Sequence, residues 1–155
     1  MNFKKSFLIA FFGILIVSCS QEKSTKEYMI DSWETTYLKI DMETYKKSDS
    51  TFVFEDDFKN NPPRRAQSTY KKDGTFSAWY INQKGEKQGE SIGKWDVKND
   101  SLFIEYFYAG RDVKVFYHIE KTAEGFTGKS KFDWDEDGDF DDVLIMKTKR
   151  IKTEK

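Results

Sequence analysis

The chain has 155 residues, of which 17% are aromatic and 34% charged, and its formal net charge at pH 7 is −1. This balance argues against a nucleic-acid binder, because such proteins normally concentrate a basic excess on one face. With Cys19 as its only cysteine, the chain cannot form an internal disulfide, so its stability has to come from packing of its many aromatic side chains.

The N-terminus predicts a cleaved secretory signal. Lys4 and Lys5 precede an apolar run from Phe7 to Val17 that is too short to span a bilayer, and the small residue Ser18 stands before the expected cleavage point. We therefore predict that residues 1–18 form a signal peptide. Its removal leaves 137 residues with 24 basic and 27 acidic side chains, a formal charge of −3. That length allows one domain with its own core.

The end of this run, Ile16-Val17-Ser18-Cys19, resembles the lipobox of bacterial lipoproteins, with Ile16 where leucine is commoner. The resemblance implies that Cys19 carries a lipid and that the protein contacts the membrane through this anchor. In the lipoproteins it resembles, the residue after the cysteine steers sorting, and the absence of Asp at position 20 favours the outer membrane. We expect the periplasmic face, while Gln21-Glu22 leaves cell-surface display open as an alternative.

The next residues are polar and charged, with too little apolar surface to fold alone. We predict a lipidated flexible tether over residues 19–27 and a single domain over residues 28–155. From Trp33 onward apolar and polar residues alternate with a period of two, which is the pattern of half-buried strands.

Turn dipeptides such as Asp73-Gly74 and Asn99-Asp100 recur every ten to fifteen residues, as an antiparallel meander requires. The predicted strands are one beginning at Trp33, a short one at 52–54, and 68–72, 75–81, 91–97, 102–108, 113–121, 126–132 and 143–151. Residues 49–65 are irregular and contain Pro62-Pro63, so they are predicted to form a flap or a rim.

Eight or nine antiparallel strands predict an all-β, up-and-down meander barrel, since closure removes exposed sheet edges. An eight-stranded barrel has an interior just wide enough for side chains or for one small ligand. If the barrel is hollow, its strand aromatics are the candidate ligand-binding residues, namely Trp79, Tyr80, Trp95, Tyr106, Tyr108 and Tyr117. The alternative is that the same rings fill the core.

Residues 133–142 form an acidic run whose spacing resembles a calcium loop. The candidate ligands are Asp133, Asp135, Asp137, Asp139 and Asp141, with Gly138 in the sixth place and Asp142 at the end of the run. Two facts count against an EF-hand: position twelve is Leu144, and the flanks predict strands. A looser calcium site and a plain acidic turn both remain open.

Three motifs carry a second resemblance. Trp33 begins the first strand, Tyr70-Lys71-Lys72-Asp73-Gly74-Thr75-Phe76 follows, and Gly93-Lys94-Trp95-Asp96 leads into Ser101-Leu102-Phe103-Ile104. Over about residues 30–152 this pattern resembles the small lipocalin-like lipoproteins of Gram-negative bacteria, although Asp31-Ser32-Trp33 departs from the Gly-x-Trp of lipocalins proper. The resemblance implies a barrel, a carrier role and a cation-π contact of Arg150 over Trp33 that closes the barrel floor.

The sequence therefore favours a monomeric, lipid-anchored envelope lipoprotein whose lipocalin-like barrel binds a small apolar or amphipathic molecule. The alternative is a structural or protein-interaction module with a filled barrel, which calcium would stabilise. We do not expect an enzyme, because no Ser-His-Asp order or other catalytic constellation stands out and His118 is the single histidine. We expect no nucleic-acid partner and no cofactor besides calcium.

Overall fold

The computed structural model describes residues 23–59 and 64–151. The predicted signal peptide, Cys19, the first part of the predicted tether and Pro62-Pro63 lie outside the described residues. Within them the chain forms nine strands: β1 Asp31–Met42, β2 Phe52–Asp56, β3 Arg65–Tyr70, β4 Thr75–Ile81, β5 Lys87–Lys98, β6 Ser101–Tyr108, β7 Arg111–Lys121, β8 Phe126–Phe132 and β9 Asp142–Arg150. No helix of this part of the chain is long and apolar enough to cross a membrane.

Eight of these strands form a closed barrel. β1 pairs with β3, the strands from β3 to β9 pair antiparallel in sequence order, and β9 returns to pair with β1. The ninth strand, β2, pairs with the end of β1 from Leu38↔Asp56 to Met42↔Phe52. The predicted all-β antiparallel meander barrel is confirmed.

The barrel has two ends. The floor end is where β1 begins at Asp31, and it includes the turns at residues 71–74, 99–100 and 122–125. The mouth end is where β1 ends at Met42, and it includes β2, the hairpin turn at residues 82–86 and the loop at residues 133–141. At the floor, Asn99 and Asp100 both have positive φ angles, 49° and 59°, so β5 and β6 are joined by a two-residue turn of the primed kind that suits the twist of a hairpin.

A β-bulge at Thr36 changes which side chains of β1 point into the barrel. Pairing with β9 shifts between Thr35 and Tyr37, so Thr36 is exposed and donates a hydrogen bond from Oγ1 to the carbonyl of Lys147. The extra residue reverses the alternation. Trp33 before the bulge and Leu38 after it can thus share the inner face, which an uninterrupted period of two does not allow.

A short helix, α1 Thr25–Met29, precedes the barrel and packs against its floor. Ser24 and Glu27 form a reciprocal capping box, which satisfies backbone N–H groups that a helix start leaves unpaired. The predicted boundary between tether and domain, at residue 28, falls inside this helix. The apolar anchors Met29 and Ile30 explain the difference, because Met29 is fully buried in the core and holds the preceding turn in place.

The inner faces of the strands form the core. Its buried members are Met29, Trp33, Tyr70, Phe76, Trp95, Leu102, Ile104, Val113, Val115, Tyr117, Phe126, Phe132 and Leu144. Trp33 and Phe126 meet edge to face at 5.0 Å between ring centroids, and Tyr70 meets Trp95 in the same way at 5.4 Å. These ring contacts pack the floor half of the barrel and stabilise it by burial and by specific ring geometry.

Candidate functional site

A cavity of about 220 Å³ lies inside the barrel, between the packed floor and the mouth. Aliphatic side chains form one wall, among them Leu38, Ile40, Leu144 and Met146. Aromatic side chains form the other walls. The cavity is smaller than the roughly 300 to 1,000 Å³ of a drug-sized ligand site, so it suits a small molecule or one end of a longer one.

Five of the six aromatic residues predicted for ligand binding line this cavity, namely Trp79, Tyr80, Tyr106, Tyr108 and Tyr117. Trp95 does not line it. Trp95 is 4% exposed, packs on Tyr70 and donates its indole N–H to the carbonyl of Lys71 at 2.8 Å, which makes it part of the floor. A period of two gives the face of a strand but not the height along the barrel, so Trp95 and Tyr106 look alike in sequence.

β5 forms part of the cavity wall and contains two glycines, Gly89 and Gly93. Gly93 lies opposite Tyr106, and a Cβ atom at Gly93 would stand 2.1 Å from the carbonyl oxygen of Glu105. Nearer the mouth, pairing between β4 and β5 shifts at Gly89, whose φ of +61° suits a bulge. Gly89 lines the cavity beside Trp79 and Tyr80, so the bulge and the small residue leave space at the mouth.

Tyrosine hydroxyls are the principal polar groups inside. Burial raises the pKa of Tyr106 to about 12, and it also raises the pKa values of Tyr70 and Tyr117. Burial also raises the pKa of Tyr80, with a smaller contribution from Tyr108 nearby. At neutral pH these groups are uncharged, and a tyrosine hydroxyl can both donate and accept a hydrogen bond within a largely apolar space.

The segment after β2 contributes to the mouth, as the predicted flap or rim suggests. Phe58 lines the cavity with a φ of +55°, and its backbone N–H donates to Oδ1 of Asp56 at 2.7 Å. The other oxygen of Asp56 accepts from Arg64 at 3.0 Å, and the Arg64 guanidinium lies 5.1 Å from the ring centroid of Tyr80. A buried carboxylate thus fixes both Phe58 and a cation at the cavity edge.

Phe58 and Trp134 are cavity residues that the sequence did not reveal. Both lie in connecting segments, where periodicity gives no inward or outward direction. The indole N–H of Trp134 is buried and makes no hydrogen bond to the described residues. An aromatic residue within an irregular polar segment was the available signal in each case.

The acidic loop brings together a different set of carboxylates from the one predicted. Oxygens of Asp133, Asp135 and Asp142 lie within 4.8 Å of one another. Asp137 instead accepts N–H bonds from Asp139 and Lys47, and Asp141 accepts from the hydroxyl of Thr44.

Three oxygens at this separation fit a single calcium ion, whose bonds to oxygen are about 2.3 to 2.6 Å long. The same carboxylates also have protein partners. Asp142 accepts from the backbone N–H groups of Trp134 and Asp135, and Arg111 lies 3.6 Å from Asp133. Burial raises the pKa of Asp142 despite its two hydrogen bonds. A cation here would complete a loop that backbone N–H groups already organise.

At the floor, the Arg150 guanidinium lies 4.2 Å from the ring centroid of Trp33, well within the 6 Å of a cation-π contact. Arg150 also donates to the carbonyl of Tyr28 at 3.1 Å and pairs with Asp31. This is the contact that the family resemblance implies for closure of the floor.

The outer face of β5, β6 and β7 exposes apolar side chains. Ile92, Phe107 and Phe116 are 64%, 59% and 51% exposed, and Phe116 stacks on Phe103 across the strand pair at 4.8 Å. Lys94, Glu105 and Lys114 separate Ile92 and Phe107 from the Phe103–Phe116 pair. His118 is exposed on the same strand as Phe116.

Comparisons with known proteins add no relative to this picture: no family model, curated protein or solved structure matches the chain.

Proposed function

We propose that this protein is a lipid-anchored envelope lipoprotein whose barrel binds a small apolar or amphipathic molecule in the cavity near its mouth. The observation that carries the proposal is the cavity itself, because a barrel of this size with so many rings could have been packed solid. The space lies on the mouth side, while the floor is filled and closed by Trp33 and Arg150. Binding requires no chemistry, and we propose a non-catalytic role.

The lining narrows the class of ligand. Aliphatic residues such as Ile40 and Met146 suit an apolar body, and neutral tyrosine hydroxyls suit a polar group that accepts or donates hydrogen bonds. Arg64 already has Asp56 as its partner, so the cavity edge does not offer a free positive charge to a strongly anionic group. An uncharged or weakly polar amphipathic molecule fits this arrangement best.

A cavity-filling variant tests the binding proposal. In the mature chain made soluble by Cys19→Ser, the fluorescent probe 1-N-phenylnaphthylamine should bind and brighten. Ala78→Phe adds a ring to the cavity wall and should weaken probe binding at least tenfold, because the ring occupies the apolar space. Ala123→Phe is the matched control, since it adds the same ring in the exposed turn between β7 and β8. Equal probe binding by both variants would place the probe elsewhere and remove the carrier role.

Membrane attachment is tested separately. The resemblance of residues 16–19 to a lipobox supports lipidation of Cys19 in the outer membrane, on its periplasmic side. Cys19→Ser should move the protein from the membrane fraction to the soluble fraction, because a single non-lipidated domain with this surface has no other anchor that we propose. A variant that stays with the membrane after a high-salt wash would overturn the lipid anchor.

The second candidate function is an interaction module stabilised by calcium. The convergence of Asp133, Asp135 and Asp142 supports the calcium part, and the exposed apolar face of β5 to β7 supports the interaction part. Calcium that binds the folded state should raise the melting temperature of the Cys19→Ser protein in a concentration-dependent way. A melting temperature that is the same in excess calcium and in chelator would leave the loop as a plain acidic turn.

A further inference from the structure

The chain before the barrel is fixed to the floor from Lys23 onward. The carbonyl of Lys23 accepts a hydrogen bond from Lys121 at 2.8 Å, and Lys26 pairs with Asp96 at 2.7 Å. Tyr28 donates its hydroxyl to the carbonyl of Gly125 in the floor turn after β7. Trp33 donates its indole N–H to the carbonyl of Met29 at 3.0 Å.

These contacts shorten the tether. If Cys19 carries the lipid, only four residue steps separate the anchor from Lys23, and a fully extended chain spans at most about 3.6 Å per residue, or about 14 Å in all. By contrast, β7 has 11 residues. At a rise of about 3.3 Å per residue and a tilt near 40° from the barrel axis, such a strand spans a height of about 28 Å from floor to mouth. The anchor therefore holds the floor, and not the mouth, near the bilayer.

The charges at the two ends of the barrel also favour an arrangement with the floor near the bilayer. The mouth loop at residues 133–141 contains six acidic residues and no basic one, whereas the three floor turns, at residues 71–74, 99–100 and 122–125, together contain three acidic and two basic residues. An anionic lipid surface attracts basic segments and repels acidic ones within about one Debye length, roughly 8 to 10 Å. A barrel that tips its mouth toward such a surface would bring this acidic loop into the repulsive layer.

We infer that the closed floor of the barrel faces the membrane and that the mouth opens away from it, so that the cavity exchanges its ligand with the aqueous compartment and not with the host bilayer. The inference rests on the proposed lipid anchor at Cys19. The lipid surface is thus the partner of the floor end, and the cavity edge at Arg64, Tyr80 and Tyr108 is left free for a soluble donor or acceptor of the ligand.

Two matched variants test this orientation. Lys72→Cys and Lys84→Cys each place a thiol at an exposed position of a hairpin turn. Lys72 lies two residues before Gly74 at the floor, and Lys84 lies directly before Gly85 at the mouth. Because the lipid occupies the thiol of Cys19, each variant has one free thiol for a fluorophore. The lipidated full mature chain is reconstituted in vesicles of phosphatidylethanolamine and phosphatidylglycerol, and quenching by lipids with a nitroxide on the headgroup is measured.

We expect the fluorophore at position 72 to be quenched at least threefold more strongly than the one at position 84. Insertion of ten Gly/Ser residues between residues 22 and 23 should reduce the quenching at position 72, because the longer tether frees the floor. Equal quenching at both positions, or stronger quenching at position 84, would overturn the orientation, as would an insertion that changes nothing. Flotation of the vesicles separates the two ideas: a chain that fails to float with them overturns the lipid anchor itself, while a floating chain with a quenched mouth overturns the orientation alone.

Discussion

The two ends of the barrel differ in how they use their aromatic residues. At the floor, Trp33 is fully buried, meets Phe126 edge to face, lies under Arg150 and donates its N–H to Met29. At the mouth, Tyr80, Tyr106 and Tyr108 line an open space, and the indole N–H of Trp134 has no partner among the described residues. The floor fills its volume and pairs the N–H group of its central ring, whereas the mouth leaves a cavity open and one aromatic N–H group without a partner among the described residues. The comparison predicts that the floor contributes most to stability and places the cavity of the proposed binding site on the side of the mouth.

The largest expected effect comes from removing the central floor ring. Trp33→Ala should lower the free energy of unfolding by about 3 to 5 kcal/mol, because it leaves a cavity under Arg150 and an unpaired Met29 carbonyl. Trp79→Ala is the control at the mouth. Trp79 lines the cavity, and Nζ of Lys87 lies 3.9 Å from its ring centroid. This variant should lower the free energy of unfolding by about 1 kcal/mol. Urea unfolding of the Cys19→Ser protein measures both. Similar losses in the two variants would contradict the division of the barrel into a stable floor and a tolerant mouth.

Each buried tyrosine should have a smaller effect on stability at alkaline pH, and this effect tests whether the cavity is dry. Burial raises the pKa values of Tyr70, Tyr106 and Tyr117 in the folded protein above the unfolded value near 10. The folded state then retains protons that the unfolded state releases. Stability should therefore be complete below pH 10 and fall as the pH rises through 10 to 12, by up to about 1.4 kcal/mol per pH unit for each tyrosine.

Tyr117→Phe sharpens this test. The variant removes one of the buried hydroxyls and should make the loss of stability between pH 10 and 12 shallower, while the value at pH 8 changes little. Unfolding by urea at several pH values gives the slope directly. If wild type shows no alkaline loss, water reaches these hydroxyls, and the cavity is a wet cleft and not an apolar binding site.

Sequence patterns predicted the barrel well because each of its determinants is local. Alternation set the strands, and turn residues such as Asn99 and Asp100 set their ends. The floor contact of Trp33 with Arg150 was predicted only through a family resemblance, since the two residues lie 117 positions apart in the chain.

The rest of the site depends on position in three dimensions. Periodicity could not assign Trp95 to the floor and Tyr106 to the cavity, because both simply face inward. It also gave no direction for Phe58, and spacing alone selected Asp137 and Asp139 where the folded loop gathers Asp142. In each case the missing information is the height of a residue along the barrel or the path of a loop. The period and spacing of residue types in the sequence do not give either.

The smallest expected effect concerns the acidic loop at the mouth. Burial raises the pKa of Asp142, so the charged carboxylate is less favourable in the folded state than in the unfolded one, even though it accepts N–H bonds from Trp134 and Asp135. Asp142→Asn keeps an oxygen to accept those bonds and removes the charge beside Asp133 and Asp135. In metal-free buffer at pH 7 it should stabilise the protein by no more than about 1 kcal/mol.

The way in which the stability difference between Asp142→Asn and wild type changes with pH shows whether the charge of Asp142 is its cause. Because the folded pKa of Asp142 lies above its usual value of 3.8, the wild type gains stability relative to Asp142→Asn as the pH falls through the folded pKa toward 3.8. The advantage of the variant should therefore be present at pH 7 and vanish near pH 4. Asp139→Asn, at an exposed position of the same loop, should show no such trend.

If Asp142→Asn instead weakens the protein at pH 7, the charged hydrogen bonds to the backbone outweigh the cost of burial. The mouth would then have a satisfied acidic centre of its own, and the contrast between the two ends would reduce to the cavity alone.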